Sequence, residues 1–157
     1  WMAKSWEIGQ WQVAPGQFGT LITWHLRDDI KWSDGVPFTS ADVKFTIEYL
    51  RDNKAPRYLS SVANVVKVET PDKYTAKVYF SNVSYWNIDN ADLCGLPQHI
   101  WKDVKDYKAF EPWKEAHPTV PGMTKLVGLG PFNLKEYKVG EYVRLEKNAN
   151  YFALPTK

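Results

Sequence analysis

The stretch that decides the fold is KWSDGVPFTSADV, at residues 31–43. Its Asp34-Gly35 pair predicts a tight turn, because glycine accepts the positive φ that such turns often require. Thr39 is a good N-cap residue, and Asp42 stands three residues later, as in a capping box. A helix is therefore predicted to begin after Thr39. Apolar residues recur along one face of this helix, at Val43, Ile47 and Leu50.

Alternation of apolar and polar residues predicts strands on both sides of this helix. In the segment 21–27, Ile22, Trp24 and Leu26 share one face, which indicates a half-buried strand. Further strands are expected at 6–13, 65–69, 74–80, 134–137 and 142–146, and the last four form two hairpins.

The remaining segments complete an α+β fold made of antiparallel strand pairs and two or three helices. A short amphipathic helix is expected at residues 100–107, an irregular segment at 81–98 and a long loop at 108–127. Length and composition favour a single domain over residues 1–157, and a loop of that length suggests that this domain is part of a larger protein.

Composition excludes two classes of protein. The 20 basic and 18 acidic residues give a net charge of +2, and no run of Lys or Arg concentrates it, so a nucleic-acid partner is not expected. No segment of about 18 apolar residues is present that would cross a membrane as a helix.

Candidate catalytic and metal-binding residues do not form a recognisable motif. His25, His99 and His117 lack the spacing of metal ligands, and Cys94 has no base beside it in the sequence. Asp89 and Asp92 lack the Gly and the terminal Glu of a calcium loop, which leaves that signal weak. We therefore expect no enzyme activity, no cofactor and no metal. A spatial cluster of His25, His99 or Cys94 with a carboxylate would favour an enzyme instead.

Aromatic residues make up 15% of the chain and allow two interpretations. They can fill the core, or they can stack on a sugar or a peptide side chain in a cleft. The tryptophans to which both interpretations apply are Trp6, Trp24, Trp32 and Trp101.

Six short strings, taken in order along the chain, resemble one protein family. They are MAKSWE at residues 2–7, TWHLR at 23–27, KWSDGVPFTSADV at 31–43, LPQHIW at 96–101, GLGPF at 128–132 and LEKNANYF at 145–152. The chain is similar throughout to the solute-binding proteins of ABC importers of the oligopeptide- and dipeptide-binding type, the bacterial extracellular solute-binding family 5.

This resemblance implies a fold and a function. The fold would be the smaller subdomain of lobe I in a two-lobed, periplasmic-binding-protein-like molecule (type II, cluster C), because members of the family are several times longer. The implied partners are the remaining lobes of the same protein and the permease subunits in the membrane. The implied location is extracytoplasmic, in the periplasm or at the cell surface, with anchoring through a preceding N-terminal segment as one option, and the implied state is a monomer.

The resemblance also implies a ligand and a contact residue. The ligand would be an oligopeptide, with an oligosaccharide of the cello, xylo or manno type as the alternative, and a scaffold subdomain without its own ligand site as a third hypothesis. In peptide-binding members a Tyr just after the helix reaches the cleft. The string APRY at residues 55–58 stands in that place here, so Tyr58 is the first candidate for ligand binding, with Arg57 as the second. The alternative is that Tyr58 is a surface residue of a loop without a ligand role.

Overall fold

The computed structural model describes residues 2–91 and 95–153. Within it the chain forms two compact units, each built from two separate segments. Unit 1 comprises residues 1–28 and 39–96, and unit 2 comprises residues 29–38 and 97–157. The single domain predicted for residues 1–157 stays a prediction.

Unit 1 is built on a four-stranded antiparallel sheet in the order β1-β2-β4-β3. The strands are β1 (Ala3–Ala14), β2 (Gln17–Leu26), β3 (Val65–Asp72) and β4 (Thr75–Phe80). The predicted alternation along β2 is confirmed, since Ile22, Trp24 and Leu26 are all buried. On β4 the residues that share this face are fully buried, at Ala76, Val78 and Phe80. One face of the sheet therefore forms the core of unit 1.

Helix α1 (Ser40–Asp52) packs against β3 and β4 on the core side of the sheet. The predicted capping box is present, and the backbone N–H of Thr39 donates to Asp42 Oδ2 at 2.9 Å. Ile47 and Leu50 of its apolar face are buried. Because the cap is encoded within four residues, the start of this helix could be predicted from the sequence alone.

Two short helices of unit 1 were not predicted. Helix α2 (Leu59–Val62) follows α1, and helix α3 (Asn87–Ala91) lies in the stretch expected to be irregular. The start of α3 is fixed by the buried Asn87, whose Nδ2 donates to Thr20 Oγ1 at 3.1 Å and to the Asn82 carbonyl at 3.2 Å. These bonds join residues up to 67 positions apart, which local sequence patterns do not report.

Unit 2 contains helix α4 (Gln98–Trp101) and a hairpin of strands β5 (Phe132–Lys138) and β6 (Tyr142–Lys147). Its core includes Trp32 and Phe38, whose rings pack edge to face with centroids 5.6 Å apart. The predicted turn is present at residues 32–36, where Gly35 has a φ of 90° and the Trp32 N–H donates to the Val36 carbonyl. Both hairpins expected from the sequence are confirmed.

The helix predicted at residues 100–107 is wrong, because α4 ends at Trp101. The Asp106 carboxylate accepts the N–H of Lys108 at 2.9 Å, and such a local bond competes with helical hydrogen bonding. The loop expected at residues 108–127 is confirmed, since no helix or strand of the sheets lies within it. The α+β class with antiparallel sheets is confirmed. No helix among the described residues is long and apolar enough to cross a bilayer.

Candidate functional site

The loop predicted to reach a ligand begins at a well-defined helix end. The Ala55 N–H donates to the Leu50 carbonyl, and the Lys54 N–H donates to the Arg51 carbonyl, which is the Schellman pattern. Lys54 occupies the left-handed position of this motif, with a φ of 49°. Ala55 and Leu50 are both buried, as the apolar contact of the motif requires. The path of the chain into the next residues is therefore fixed by backbone bonds.

Tyr58 and Arg57 lie next to each other at the end of this loop, which we call the 54–58 loop. The Tyr58 N–H donates to the Ala55 carbonyl, and the Tyr58 carbonyl accepts the N–H groups of Ser61 and Val62 in α2. Arg57 is exposed, Tyr58 is half-buried, and the Arg57 Cζ lies 5.6 Å from the centroid of the Tyr58 ring. This distance falls in the range of a cation–π contact. Ligand binding by Tyr58 and Arg57 stays a prediction.

Asp34, His99 and His117 form a second constellation, here called the Asp34 cluster. Asp34 Oδ2 lies 2.6 Å from His99 Nε2 and 3.0 Å from His117 Nε2. The side chain of Asp34 is fully buried, that of His117 is 2% exposed and that of His99 is 28% exposed. Residue spacing does not predict this cluster, because His99 and His117 are 65 and 83 residues from Asp34 along the chain. The contact of His99 with a carboxylate is nevertheless one of those that would favour an enzyme on the sequence argument.

The hydrogen bonds of His117 decide what the Asp34 cluster can do. His117 Nδ1 accepts the backbone N–H groups of Thr119 at 3.2 Å and Val120 at 3.0 Å, so its lone pair is on Nδ1. The proton of the ring is therefore on Nε2, where it is donated to Asp34. This assignment follows from the hydrogen-bond partners.

This tautomer argues against metal binding by His117 and against His117 as a general base. The ligand atoms of the three residues lie within 4.8 Å of one another, a spacing that suits a metal ion. A metal would need the lone pair of His117 on Nε2, and a metal-bound His normally donates its other ring N–H, whereas Nδ1 here accepts two. The Thr119 hydroxyl lies 3.4 Å from Nδ1, but two N–H groups already occupy that lone pair, so His117 offers it no free base.

The turn that carries Asp34 joins several of the strings that carry the family resemblance within unit 2. Ser33 donates its N–H to the Gly128 carbonyl at 2.9 Å, and Ser33 Oγ accepts the Gly128 N–H at 3.2 Å. The Asn150 side-chain amide donates to the Ser33 carbonyl at 3.1 Å. The turn at residues 32–36 therefore binds four later segments, at His99, His117, Gly128 and Asn150. Several of the strings that resemble the family therefore contact one another within unit 2.

An open cleft of about 410 Å³ lies beside His99 in unit 2. Its polar lining has mixed charge, from His99, Asp103, Lys105, Asp106, Glu115 and Lys125. Lys125 Nζ contacts Glu115 Oε2 at 2.7 Å, so part of this charge is already paired. Nothing in this lining points to one class of ligand.

The outer face of the sheet in unit 1 carries a group of interacting polar and aromatic residues. Lys67 Nζ lies 2.6 Å from Glu69 Oε1, and the Tyr79 hydroxyl donates to Glu69 Oε2 at 2.7 Å. The hydrogen bond to Glu69 raises the pKa of Tyr79 to about 12. The Lys67 ammonium is the largest cause that lowers the pKa of Glu69, and the Tyr79 hydroxyl is the second. These are exposed structural contacts of the sheet.

The other residues named from the sequence are dispersed. His25 contacts Glu7 at 3.2 Å on the outer face of the sheet and does not join the Asp34 cluster. Asp89 lies in α3, while Asp92 and Cys94 lie outside the described residues. Trp24 and Trp32 belong to the cores of their units, whereas Trp6 is 47% exposed and Trp101 is half-buried. A core role is therefore confirmed for two of the four tryptophans.

The whole chain matches one protein family. The model of the bacterial extracellular solute-binding proteins, family 5 Middle, aligns with residues 1–157. A Brucella ovis protein assigned as an ABC transporter peptide-binding protein is 31% identical over 153 residues, which cover 96% of this chain and 26% of the relative. The oligopeptide-binding protein AppA of Bacillus subtilis is 29% identical over 131 residues, covering 81% of this chain and 23% of the relative.

Solved structures show the same similarity. The structure of NikZ from Campylobacter jejuni in complex with Ni(L-His) superimposes with a TM-score of 0.74 at 25% identity. It covers 97% of this chain, and this chain covers 27% of it. The chain thus spans about a quarter of the length of the relatives that it matches.

Proposed function

Because the chain belongs to the bacterial extracellular solute-binding proteins of family 5, we propose that it is part of a protein that captures oligopeptides outside the cytoplasm and delivers them to the permease of an ABC importer. The observation that carries this proposal is the family match over residues 1–157, together with curated relatives that include peptide-binding proteins. The wider class of ligand, a solute taken up by an ABC importer, follows from the family.

Tyr58 and Arg57 are the residues of this chain that we propose to contact the ligand. The 54–58 loop has a backbone fixed by the Schellman bonds and carries an exposed guanidinium beside a half-buried phenol. Binding sites commonly combine an aromatic surface with a few oriented polar groups, and this pair offers both. The proposal needs no covalent chemistry, and neither ring nitrogen of His117 is available as a base.

Two other classes of ligand are alternatives to a peptide, and one experiment separates all three classes. NikZ is described with a nickel–histidine complex, so a metal chelate is one alternative ligand. An oligosaccharide, predicted from the resemblance as the alternative to a peptide, is the other. The third hypothesis, a scaffold without its own ligand site, applies if residues of the longer protein form the whole binding site.

The test is a thermal-shift screen on the longest natural chain that carries residues 1–157, with the 157-residue chain in parallel. The probes are pools of short peptides, Ni(L-His), and cello-, xylo- and manno-oligosaccharides. A ligand at about 100 times its Kd adds roughly 2.7 kcal/mol to the free energy of unfolding. Stabilisation by peptides supports the proposal, and stabilisation by another class of probe alone, or by none, contradicts it.

A matched pair of variants tests the role of Tyr58. We expect Tyr58→Ala to weaken binding of the identified ligand roughly tenfold, as loss of an aromatic contact in a binding site does. Tyr85→Ala is the control, because Tyr85 is 80% exposed and lies outside the 54–58 loop. Equal effects of the two substitutions would contradict a specific contact.

A further inference from the structure

We infer that the 54–58 loop, which also carries Lys54, recognises a negatively charged group of the ligand, most simply a carboxylate, through Arg57 stacked on Tyr58. This inference rests on the proposed function, since it takes the 54–58 loop as a ligand contact. It adds a chemical preference that the family match does not supply.

The first observation is an excess of positive charge. Residues 53–68 contain Lys54, Arg57 and Lys67 and no acidic residue. Asp52, the acidic residue just before this stretch, is bound to Arg51 at 3.0 Å. Among the residues that the structure describes, neither Lys54 nor Arg57 forms a salt bridge, whereas the exposed Arg144 is paired with Glu136. Exposed lysines without a salt bridge also occur elsewhere in the described chain, so the weight of this observation lies on the guanidinium of Arg57. The 54–58 loop therefore carries two positive charges that have no acidic partner in the part of the chain that the structure describes.

The dipole of α1 explains the positive charge of Lys54 but not that of Arg57. A cation near the C-terminus of a helix is favoured by the helix dipole, and this effect is confined to about the last turn. Lys54 follows directly on the C-cap residue Asn53 and fits that explanation. Arg57 lies four positions after Asn53, on the segment that leads into α2. The dipole of α1 therefore does not account for Arg57.

The geometry of Arg57 suits recognition of a carboxylate. A guanidinium that stacks on an aromatic ring keeps its N–H groups in a plane, where they can donate in pairs to a carboxylate. Here the Arg57 Cζ lies 5.6 Å from the Tyr58 ring centroid, and Arg57 is exposed. The Tyr58 backbone is held at both sides by hydrogen bonds to Ala55 and to α2. The backbone of Tyr58, whose ring supports the guanidinium, is therefore held in place.

The experiment compares ligands that differ only in one negative charge. The longest natural chain that carries residues 1–157 is incubated with an equimolar pool of short peptides, each present as the free acid and as the C-terminal amide. Manno-oligosaccharides and the corresponding aldonic acids form a second set of pairs. Mass spectrometry of the captured ligands gives the ratio of charged to neutral forms. We expect this ratio to exceed about ten, as for a charge-assisted hydrogen bond.

Variants then test whether Arg57 causes the preference for charged over neutral ligands. Arg57→Gln should bring the ratio of charged to neutral forms close to one, because it weakens capture of the acids more than capture of the neutral forms. Arg57→Lys should give an intermediate ratio, because it keeps the charge and loses the planar pair of donors. The control is Arg144→Gln, which removes an exposed guanidinium paired with Glu136 in unit 2 and should leave the ratio unchanged.

Each outcome decides the inference. Equal capture of charged and neutral forms by the parent protein overturns it and leaves the proposed function standing. A high ratio that survives Arg57→Gln, with the fold intact by circular dichroism, also overturns it, because the preference then resides elsewhere. Capture of no probe in either form overturns both the inference and the proposed function.

Discussion

At the scale of single residues, Asp34 has the most consequential environment in unit 2. Its buried carboxylate accepts from two histidines, and its Oδ1 accepts the Val36 N–H at 3.1 Å. A buried acceptor that serves several donors cannot be removed without leaving those donors unpaired, and each such donor costs stability. The conclusion is that Asp34 maintains the structure, although it lies in a constellation that resembles a catalytic or metal-binding one.

The first prediction concerns this residue. Asp34→Ala should lower the free energy of unfolding by about 2–3 kcal/mol, because the buried Nε2–H of His117 loses its acceptor. Asp34→Asn should cost less, since an amide oxygen can still accept one of the two bonds. Urea denaturation followed by tryptophan fluorescence measures both. Equal stability of Asp34→Ala and the parent would show that the Asp34 cluster contributes nothing to the fold.

The second prediction concerns Tyr79. With a folded pKa of about 12, against 10.0 for an ordinary Tyr, the folded state holds this proton more tightly than the unfolded state. The resulting stability is fully present below pH 10 and is lost as the pH rises through 12. For Glu69 the pH dependence is opposite, because folding lowers the pKa of this carboxyl below its ordinary value of 4.5. The stability that Glu69 contributes is therefore present above pH 4.5 and is lost as the pH falls below it.

Alkaline titration of tyrosinate absorbance tests this. In Glu69→Gln the titration midpoint of one late-titrating tyrosine should shift back towards pH 10. In Tyr79→Phe the absorbance change of that tyrosine should be absent. Tyr142→Phe is a suitable background, because a hydrogen bond to Glu136 also raises the pKa of Tyr142. If Glu69→Gln leaves the titration curve unmoved, then the Tyr79–Glu69 hydrogen bond does not persist in solution.

At the scale of elements, α1 determines where the proposed ligand contacts lie. Its N-terminus is fixed by Thr39 and Asp42, and its C-terminus by the bonds of Lys54 and Ala55. Both ends are therefore defined by hydrogen bonds within the local sequence. The 54–58 loop inherits its position from this helix.

The third prediction concerns the end of α1. Lys54 has a φ of 49°, a conformation that costs a residue with a side chain roughly 1 kcal/mol relative to glycine. Lys54→Gly should therefore raise the free energy of unfolding by about 0.5–1 kcal/mol, after allowing for the greater freedom of glycine in the unfolded chain. Lys44→Gly, within the helix, should lower it by a similar amount. Destabilisation by Lys54→Gly would contradict the left-handed assignment.

Elements with a local cause could be predicted from the sequence, and elements with a distant cause could not. Helix α1 has its cap within four residues, and the hairpins have their alternation within each strand. The start of α3 depends on Asn87 bonding to Thr20, 67 residues away. For the same reason the candidate residues Tyr58 and Arg57 could be named from a local string, while the Asp34 cluster appeared only in three dimensions.

At the scale of the whole molecule, unit 2 carries an apolar face that the residues described by the structure leave exposed. The β5–β6 hairpin is a separate two-stranded sheet, and a sheet of that size is marginal in water without further packing. Cross-strand pairs on one of its faces join Leu134 to Leu145 and Tyr137 to Val143. Val143 and Leu145 are 57% and 54% exposed. Exposed apolar patches of this kind favour association.

The fourth prediction follows from this face. The 157-residue chain by itself should associate in a concentration-dependent manner, while a longer natural chain that carries it should remain the monomer predicted from the resemblance. A variant with Val143→Lys and Leu145→Lys should associate less, because two like charges now oppose contact. Sedimentation velocity over a range of concentrations measures this. Identical profiles for parent and variant would place the association, if any, elsewhere on the molecule.

The division of the chain into discontinuous units has a consequence for its synthesis. All segments of unit 1 have left the ribosome once residue 96 emerges, whereas residues 29–38 belong to a unit completed only by residues 97–157. Ser33 and Asp34 must wait for His99, His117, Gly128 and Asn150 before their hydrogen bonds can form. At about 5–20 residues per second, this wait lasts on the order of seconds. Trp32 and Phe38 therefore lack their later partners in unit 2 for that interval, whereas all segments of unit 1 have already been synthesised.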